Sequence, residues 1–374
     1  MKAVGIILAG GNHKRMRELS QTRAIAALPV AGTYRSVDFA LSNMTNSGIN
    51  RVAVVTQYNA KSLNAHLNSS KWWNFGRKQG GLYVFNPILT ADNNSWFRGT
   101  ADSIYQNIDF LKESHEPYVV IASGDCIYKL DYDQVLQYHI DRRADITIVC
   151  KNMGEMMGLE RFGLVNIDGE NRVMELEEKP VEAKSNIVSC GIYIIRRRLL
   201  IELLDQAASE ERYDFVKDIL VRYRRQKKIY AYLLDSYWSN ISSVEAYFNT
   251  NMDFLRKDIR DYFFKEGEPI FSKVDDLPPA KFNYGSEVRN SLIASGSIIN
   301  GHVENSVIFK EGFIGNNCII RNSIVLNDVY IRDNSVIENC IVESHSTIED
   351  GSVFKGEEGN PRIVIEKNER YNYK

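Results

Sequence analysis

The tetrad Asn305-Ser-Val-Ile returns as Asn322-Ser-Ile-Val and Asn339-Cys-Ile-Val at intervals of 17 residues, with an earlier copy at Asn290-Ser-Leu-Ile. Within each period, aliphatic residues recur at steps of 6, 6 and 5: Ile308, Ile314, Ile320, Val325, Ile331, Ile337, Val342 and Ile348. A step near six is too long for helical periodicity or strand alternation. It is the period of a parallel β-helix, in which about three short strands make one triangular coil and each aliphatic points into a shared narrow core. The corners need residues that tolerate positive φ, a role expected of Gly312, Gly315, Asn316, Asn317, Asn327 and Asn334. A β-sandwich would show period two, which this segment lacks. Residues 286–374 are therefore expected to form the solenoid.

Ahead of it, near-continuous apolar runs alternate with helix-like segments. Strands are expected at 3–9, 52–56, 118–122, 146–150, 164–167, 191–195 and 229–234, and helices at 36–46, 60–68, 102–114, 132–142, 198–206 and 216–226. Runs apolar on both faces alternating with helices predict an open α/β domain of Rossmann-like type, with a mostly parallel sheet, over residues 1–260. A polar stretch holding Pro269, Pro278 and Pro279 marks a linker over 261–285. From 286 onward the chain carries 9 basic and 13 acidic residues, against 37 and 35 before it. Neither part has the positive field that nucleic acid or an anionic membrane would attract. Five scattered cysteines without a CxxC pair fit reduced thiols, and no stretch approaches a membrane span, so a soluble cytoplasmic protein is expected.

In open α/β sheets ligands sit beyond the carboxyl ends of the strands. Two exits stand out. Leu8-Ala9-Gly10-Gly11 offers backbone N–H groups that a phosphate or base can approach closely, although many Gly-Gly turns serve conformation alone. Ile121-Ala-Ser-Gly-Asp125 places a carboxylate after a buried strand, where it can hold Mg²⁺ on a nucleotide phosphate or simply complete a turn. No pair of histidines has zinc-site spacing. His302 and His345 could in principle serve an acyltransferase of the β-helix type, but exposed coil positions account for both.

Further motifs follow in order: Tyr34-Arg-Ser-Val-Asp-Phe39, Leu41-Ser-Asn43, Asn46-Ser-Gly-Ile49, Val55-Thr-Gln-Tyr58, Trp96-Phe-Arg-Gly-Thr-Ala-Asp102, Tyr105-Gln-Asn107, Gly124-Asp125, Glu178-Lys-Pro180, Gly191-Ile-Tyr193, Asp214-Phe215 and Glu245-Ala-Tyr247. Together with the Gly-Gly exit they resemble the sugar-nucleotide pyrophosphorylases, and within them the bacterial glucose-1-phosphate adenylyltransferase (ADP-glucose pyrophosphorylase) family, over essentially the whole chain. The resemblance implies a left-handed β-helix after the catalytic domain. It also implies a reaction in which the phosphate of glucose 1-phosphate attacks the α-phosphate of ATP, giving ADP-glucose for glycogen synthesis and pyrophosphate. Such a displacement depends on positioning and charge neutralisation. Carried onto this chain, the catalytic residues are Arg15, Asp125 and Lys179. Leu8, Ala9, Gly10, Gly11, Gly99, Thr100 and Asp102 fall to the nucleotide, with Trp96-Phe97 near the adenine, and Glu178, Lys179 and Gly191 fall to the sugar phosphate. Asp125 holds Mg²⁺.

The chain departs from the family pattern at four of these places. The glycine-rich loop has His13 in place of its third glycine, where a Cβ costs about 1–2 kcal/mol if the backbone is left-handed. Ile25 replaces a lysine, Val216 replaces the glycine of Asp-Phe-Gly, and Asn240 replaces the second metal carboxylate. Losing a carboxylate, a loop glycine and a cation removes about 4–8 kcal/mol of transition-state stabilisation, on the order of 10³ to 10⁶ in rate. The chain is therefore closest to the regulatory type of subunit, weakly active or inactive, with a catalytic ADP-glucose pyrophosphorylase subunit as its partner in a hetero-tetramer. A fully active adenylyltransferase is the alternative.

Overall fold

The computed structural model describes residues 2–11, 14–76, 80–87, 96–154 and 158–366. By compactness the chain divides into two units, one of residues 1–11 with 39–238 and the other of residues 12–38 with 239–374. The second unit thus takes in an early segment that lies far from the solenoid in sequence.

The first unit is built on one nine-stranded sheet. Its strands are β1 (Ala3–Leu8), β2 (Arg51–Val55), β3 (Gly81–Phe85), β4 (Tyr118–Ser123), β5 (Ile146–Asn152), β6 (Gly163–Ile167), β7 (Val173–Glu178), β8 (Ile187–Arg196) and β9 (Ile229–Leu233). The spatial order is β7-β6-β8-β4-β1-β2-β3, and β5 pairs with both β8 and β9. β1 runs parallel to β2 and β4, β2 to β3, and β5 to β9, while β8 is antiparallel to β4, β5 and β6. The result is a mixed, mostly parallel sheet. Val4, Ile6, Val119 and Ile121 are buried in its core, with helical residues such as Leu200, Leu203 and Leu204 in the same cluster. Purely apolar strands of this kind fit only between covered faces.

Two helices differ from expectation. Residues 102–114 form not one helix but two, Thr100–Tyr105 and Ile108–Lys112. At the break the Gln106 amide donates to the Asp102 carboxylate (2.8 Å) and the Asn107 amide to the Ser103 carbonyl (2.8 Å), a local competition that amide side chains impose on helices. Residues 216–226 contribute only Phe215–Val221, a π-type turn capped by Asp214, which accepts from the Lys217 N–H (2.7 Å). Among the described residues no helix is long and apolar enough to cross a membrane.

The second unit holds the left-handed β-helix as three five-stranded parallel sheets. Ile308, Ile314, Ile320, Val325, Ile331, Ile337, Val342 and Ile348 all lie in one buried cluster, as their spacing requires. The corners are set differently from the expectation. Asn290, Asn305, Asn322 and Asn339, the first residues of the tetrads, take positive φ, as do Asn317 and Asn334, whereas Gly312, Gly315, Asn316 and Asn327 do not. Gly315 serves close packing: a methyl there would stand 2.5 Å from Asp333 Oδ1 and 2.7 Å from its backbone nitrogen. The repeated Asn also ladder, the Asn290 amide donating to the Asn305 side chain at 2.7 Å. The coils begin with Lys281–Phe282, before 286, and the preceding helix Lys257–Phe264 runs past 260.

Within the same unit the early segment is tied to the helices and coils by polar contacts. Arg23 forms an ion pair with Glu343 at 2.5 Å and donates to the Ser344 hydroxyl at 3.3 Å; both charged side chains are nearly buried. The Tyr247 hydroxyl donates to the Pro29 carbonyl (2.7 Å), and the Ala31 N–H to the Asn251 side chain (3.0 Å). Arg23→Met, leaving Glu343 buried without its cation, is expected to cost about 3–5 kcal/mol, and Arg23→Met with Glu343→Met to recover most of it. Denaturant unfolding of the two variants measures this, and equal losses in both would contradict it.

Candidate active site

Parallel pairing delivers three strand ends to one edge of the sheet. β1 ends at Leu8, β2 at Val55 and β4 at Ser123. The Ala9 N–H donates to the Val55 carbonyl (2.8 Å) and the Gly124 N–H to the Leu8 carbonyl (2.9 Å), so the three following loops start side by side. A methyl at Gly10 would meet nothing closer than Gln57 Cβ at 3.4 Å. The fold itself thus tolerates a larger residue there, and glycine leaves the turn's backbone open to a ligand. Beside it, Gln57 Oε1 is buried and has no hydrogen-bond partner among the described residues. Such an orphan acceptor is costly unless a donor completes it. The next residue, Tyr58, stacks on Trp96 with centroids 5.6 Å apart, and both rings are exposed.

Asp125 leaves the β4 end in a tight turn. The Ser123 hydroxyl and the Cys126 thiol both donate to its carboxylate, the latter at 3.6 Å. Opposite Ser123 lies Gly191, where β8 bulges between Ser189 and Ile192 and φ reaches 71°. A methyl at Gly191 would stand 3.2 Å from Ser123 Cβ. The contacts continue from the bulge: Ser189 Cβ lies 3.7 Å from a methyl built on Gly163, and Glu178 Oε2 lies 2.9 Å from it. Glu178 and Lys179 close β7, with the Lys179 ammonium 3.5 Å from the Glu178 carboxylate and more than half exposed. Burial pushes the Glu178 carboxyl above its ordinary range, against the pull of Lys179, and Asp214 adds to the rise. Lys179 takes φ 49°, a left-handed conformation that costs a non-glycine residue about 1–2 kcal/mol. Asp125, Gly191, Glu178 and Lys179 therefore line one continuous path along the sheet edge.

The Gly99–Asp102 turn is differently engaged. A methyl at Gly99 would come within 2.3 Å of the Tyr213 carbonyl, which accepts from the Ala101 N–H (2.8 Å) and the Asp102 N–H (3.2 Å). Thr100 Oγ1 accepts from the Phe215 N–H (2.9 Å). Asp102 accepts from the Arg98 N–H, the Arg98 guanidinium and the Gln106 amide, at 2.9, 2.7 and 2.8 Å. These polar groups are satisfied within the fold and hold the loop that carries Trp96.

The four departures fall unevenly. His13 lies outside the described residues. Ile25 is buried in the second unit, in the short turn Ile25–Ala27. Val216 packs against the core of the first unit. Asn240 is half-buried, three residues ahead of Ser243, which caps helix Val244–Asp253 by accepting from the Ala246 N–H (3.1 Å). Arg15 is exposed, in the segment Lys14–Ser20 of the second unit. In the sequence Gln57 stands out only as part of the Val55-Thr-Gln-Tyr58 motif; its orphaned oxygen has no signature there, because burial of one atom depends on packing. Ser123 likewise gains its role only through the Gly191 bulge.

A model of the nucleotidyl transferase family matches residues 4–257, and a GlmU-like, C-terminal hexapeptide model matches residues 278–359. The fold is that of a nucleotidyl transferase followed by a hexapeptide-repeat β-helix. The glucose-1-phosphate adenylyltransferase of Geobacillus stearothermophilus is 37% identical over 86% of this chain and 83% of its own length. Those of Clostridium acetobutylicum and Thermosipho africanus are 37% and 36% identical over 85% of this chain, covering 84% and 77% of their own lengths. The chain belongs to the glucose-1-phosphate adenylyltransferase family.

Two outcomes follow from the strand-edge geometry. Gly191→Ala, with a strained φ and a contact on Ser123, is expected to lower stability by about 1–2 kcal/mol by chemical unfolding. For Glu178, a raised carboxyl pKa means that its stabilising contribution is whole below the unfolded value and is lost as pH rises through the folded one. Glu178→Gln is therefore expected to melt higher than the unsubstituted chain at neutral pH, the gap closing below about pH 4. A gap that widens toward acid in thermal unfolding would contradict this sign.

Proposed function

We propose that this chain is the regulatory-type subunit of an ADP-glucose pyrophosphorylase, weakly active or inactive alone and joined to a catalytic subunit in a hetero-tetramer that serves glycogen synthesis. The observation that carries this reading is the donor set for a divalent ion. Asp125 is one carboxylate, and Asn240, a neutral amide, stands where the family has the other. Mg²⁺ fits at Asp125 only with substrate phosphates and water completing its shell, an arrangement that magnesium accepts and that leaves charge neutralisation weaker than with two carboxylates. By the family motifs Gly10, Gly11 and Arg15 fall to ATP and Lys179 to the phosphate of glucose 1-phosphate, with Glu178 and Gly191 shaping the edge beside Lys179. Gly99, Thr100 and Asp102 act by positioning the loop that bears Trp96.

The second reading is an adenylyltransferase active by itself. It is favoured by the intact Glu178-Lys179-Pro180 and Gly191 edge and by the open turn at Gly10.

Turnover of the isolated chain, compared with turnover when mixed with the catalytic subunit, separates the two. Activity alone equal to the catalytic subunit's would defeat the regulatory reading, and Asp125→Ala should then abolish it. Under that reading, His13→Gly with Asn240→Asp is expected to raise the chain's own turnover at least about tenfold, equivalent to roughly 1.4 kcal/mol. Ile25→Lys places a charge at a buried position and is expected to lower stability before it restores anything.

A further inference from the structure

One face of the β-helix carries a charge pattern that its own core does not need. On the sheet whose strands include Glu287–Arg289, His302–Glu304, Ile319–Arg321, Val336–Glu338 and Val353–Lys355, successive coils place Arg289, Glu304, Arg321, Glu338 and Lys355 in one outward column. The signs alternate without a break. Within the chain Arg321 lies 3.5 Å from both Glu304 and Glu338, and Lys355 lies 2.9 Å from Glu338. The parallel column on the same face turns apolar at Ile319, Val336 and Val353, the last 58% exposed. A shallow groove of about 340 Å³ opens between these columns at His302, Glu304, Ile319 and Arg321. By contrast, the outward residues Val307, Ile324 and Ile341 of another face are fully buried.

We propose that this face binds the same face of a second copy of the chain, antiparallel, about a two-fold axis passing between the coils of Arg321 and Glu338. An alternating column is complementary to its own reverse whenever the paired coils are displaced by an odd step. In this register Arg321 meets Glu338 of the second copy and Glu304 meets its Lys355, each contact occurring twice by symmetry. The neighbouring column then sets Ile319 on Val336, apolar on apolar, and brings Val353 of the second copy to the groove at His302. Of the other odd registers, the one that also pairs four coils sets Glu287 against Val336 and His302 against Ile319, and the remaining two pair only two coils. A parallel arrangement would lay the apolar column over the charged one. Strands of three residues over five coils offer less than the roughly 800 Å² per partner of a standard interface, so the contact is salt-sensitive and reversible. The inference rests on the coil register alone and stands whether or not the chain turns over substrate.

Sedimentation of the full chain without any other subunit tests it. At low salt the unsubstituted chain is expected to form assemblies that Arg321→Glu and Glu338→Arg each reduce to half the mass. The decisive arm mixes the two variants. The first presents only acid at both central positions and the second only base, so the equimolar mixture should regain the original mass, which a misfolded variant could not do. The pair Glu304→Lys and Lys355→Glu repeats the design one step outward. A chain that does not associate, single variants that keep the original mass, or a mixture that stays at half mass would each overturn the proposal. Those results would leave the column as an intrachain ladder that steadies the coils.

Discussion

Parallel pairing of β1 with β2 and β4 is the constraint on which the site depends. Parallel strands bring like ends together, so the loops after Leu8, Val55 and Ser123 must leave the same edge. Backbone bonds from Ala9 to Val55 and from Gly124 to Leu8 lock that edge. The open backbone at Gly10, the orphaned acceptor of Gln57 and the Asp125 carboxylate are adjacent for this reason and no other. Antiparallel β8 then adds the opposite wall, since its bulge at Gly191 sits over Ser123. A site of this type is a property of topology first and of side chains second.

The solenoid was legible in detail because its constraint is one-dimensional. Each coil must bury an aliphatic from each of its three short strands in a narrow core, and every predicted aliphatic does so. Turn chemistry is only partly encoded in composition. Gly315 looks like a corner residue but is glycine because Asp333 leaves no room for a methyl, while positive φ falls on the first Asn of each tetrad as well as on the expected Asn317 and Asn334. In the sheet domain, β7 carries no apolar strand signature, because Val173–Glu178 is charged along one face. It pairs antiparallel with β6 alone, so it needs no continuous apolar run. The break in the helix after Tyr105 was hidden for a related reason: Gln106 and Asn107 satisfy backbone and carboxylate groups that only the tertiary fold brings into reach.

Site residues were less legible than elements. Sequence order places Gly99, Thr100 and Asp102 in a motif, yet the carbonyl of Tyr213 and the side chain of Arg98 occupy their polar groups. A motif of this kind is held for the framework as much as for a ligand. Conversely, Gln57 and Ser123 matter through burial and contact, quantities that no spacing encodes.

The departures at positions 25 and 216 share a physical direction. Ile25 is buried, and Val216 packs against the sheet core. In each, a residue type that the family resemblance assigns to charge or backbone freedom has been exchanged for apolar packing. Apolar burial adds stability at about 25 cal/mol per Å², whereas a preorganised catalytic group usually holds strain or desolvated charge against the fold. Under the proposed regulatory reading turnover is supplied by a partner, and such exchanges are free to accumulate where stability and catalysis compete. The strained Lys179 and the buried Glu178 have not been relaxed in this way. Their persistence means that the edge proposed for the sugar phosphate still bears a cost, which is what the proposed binding without efficient chemistry would require.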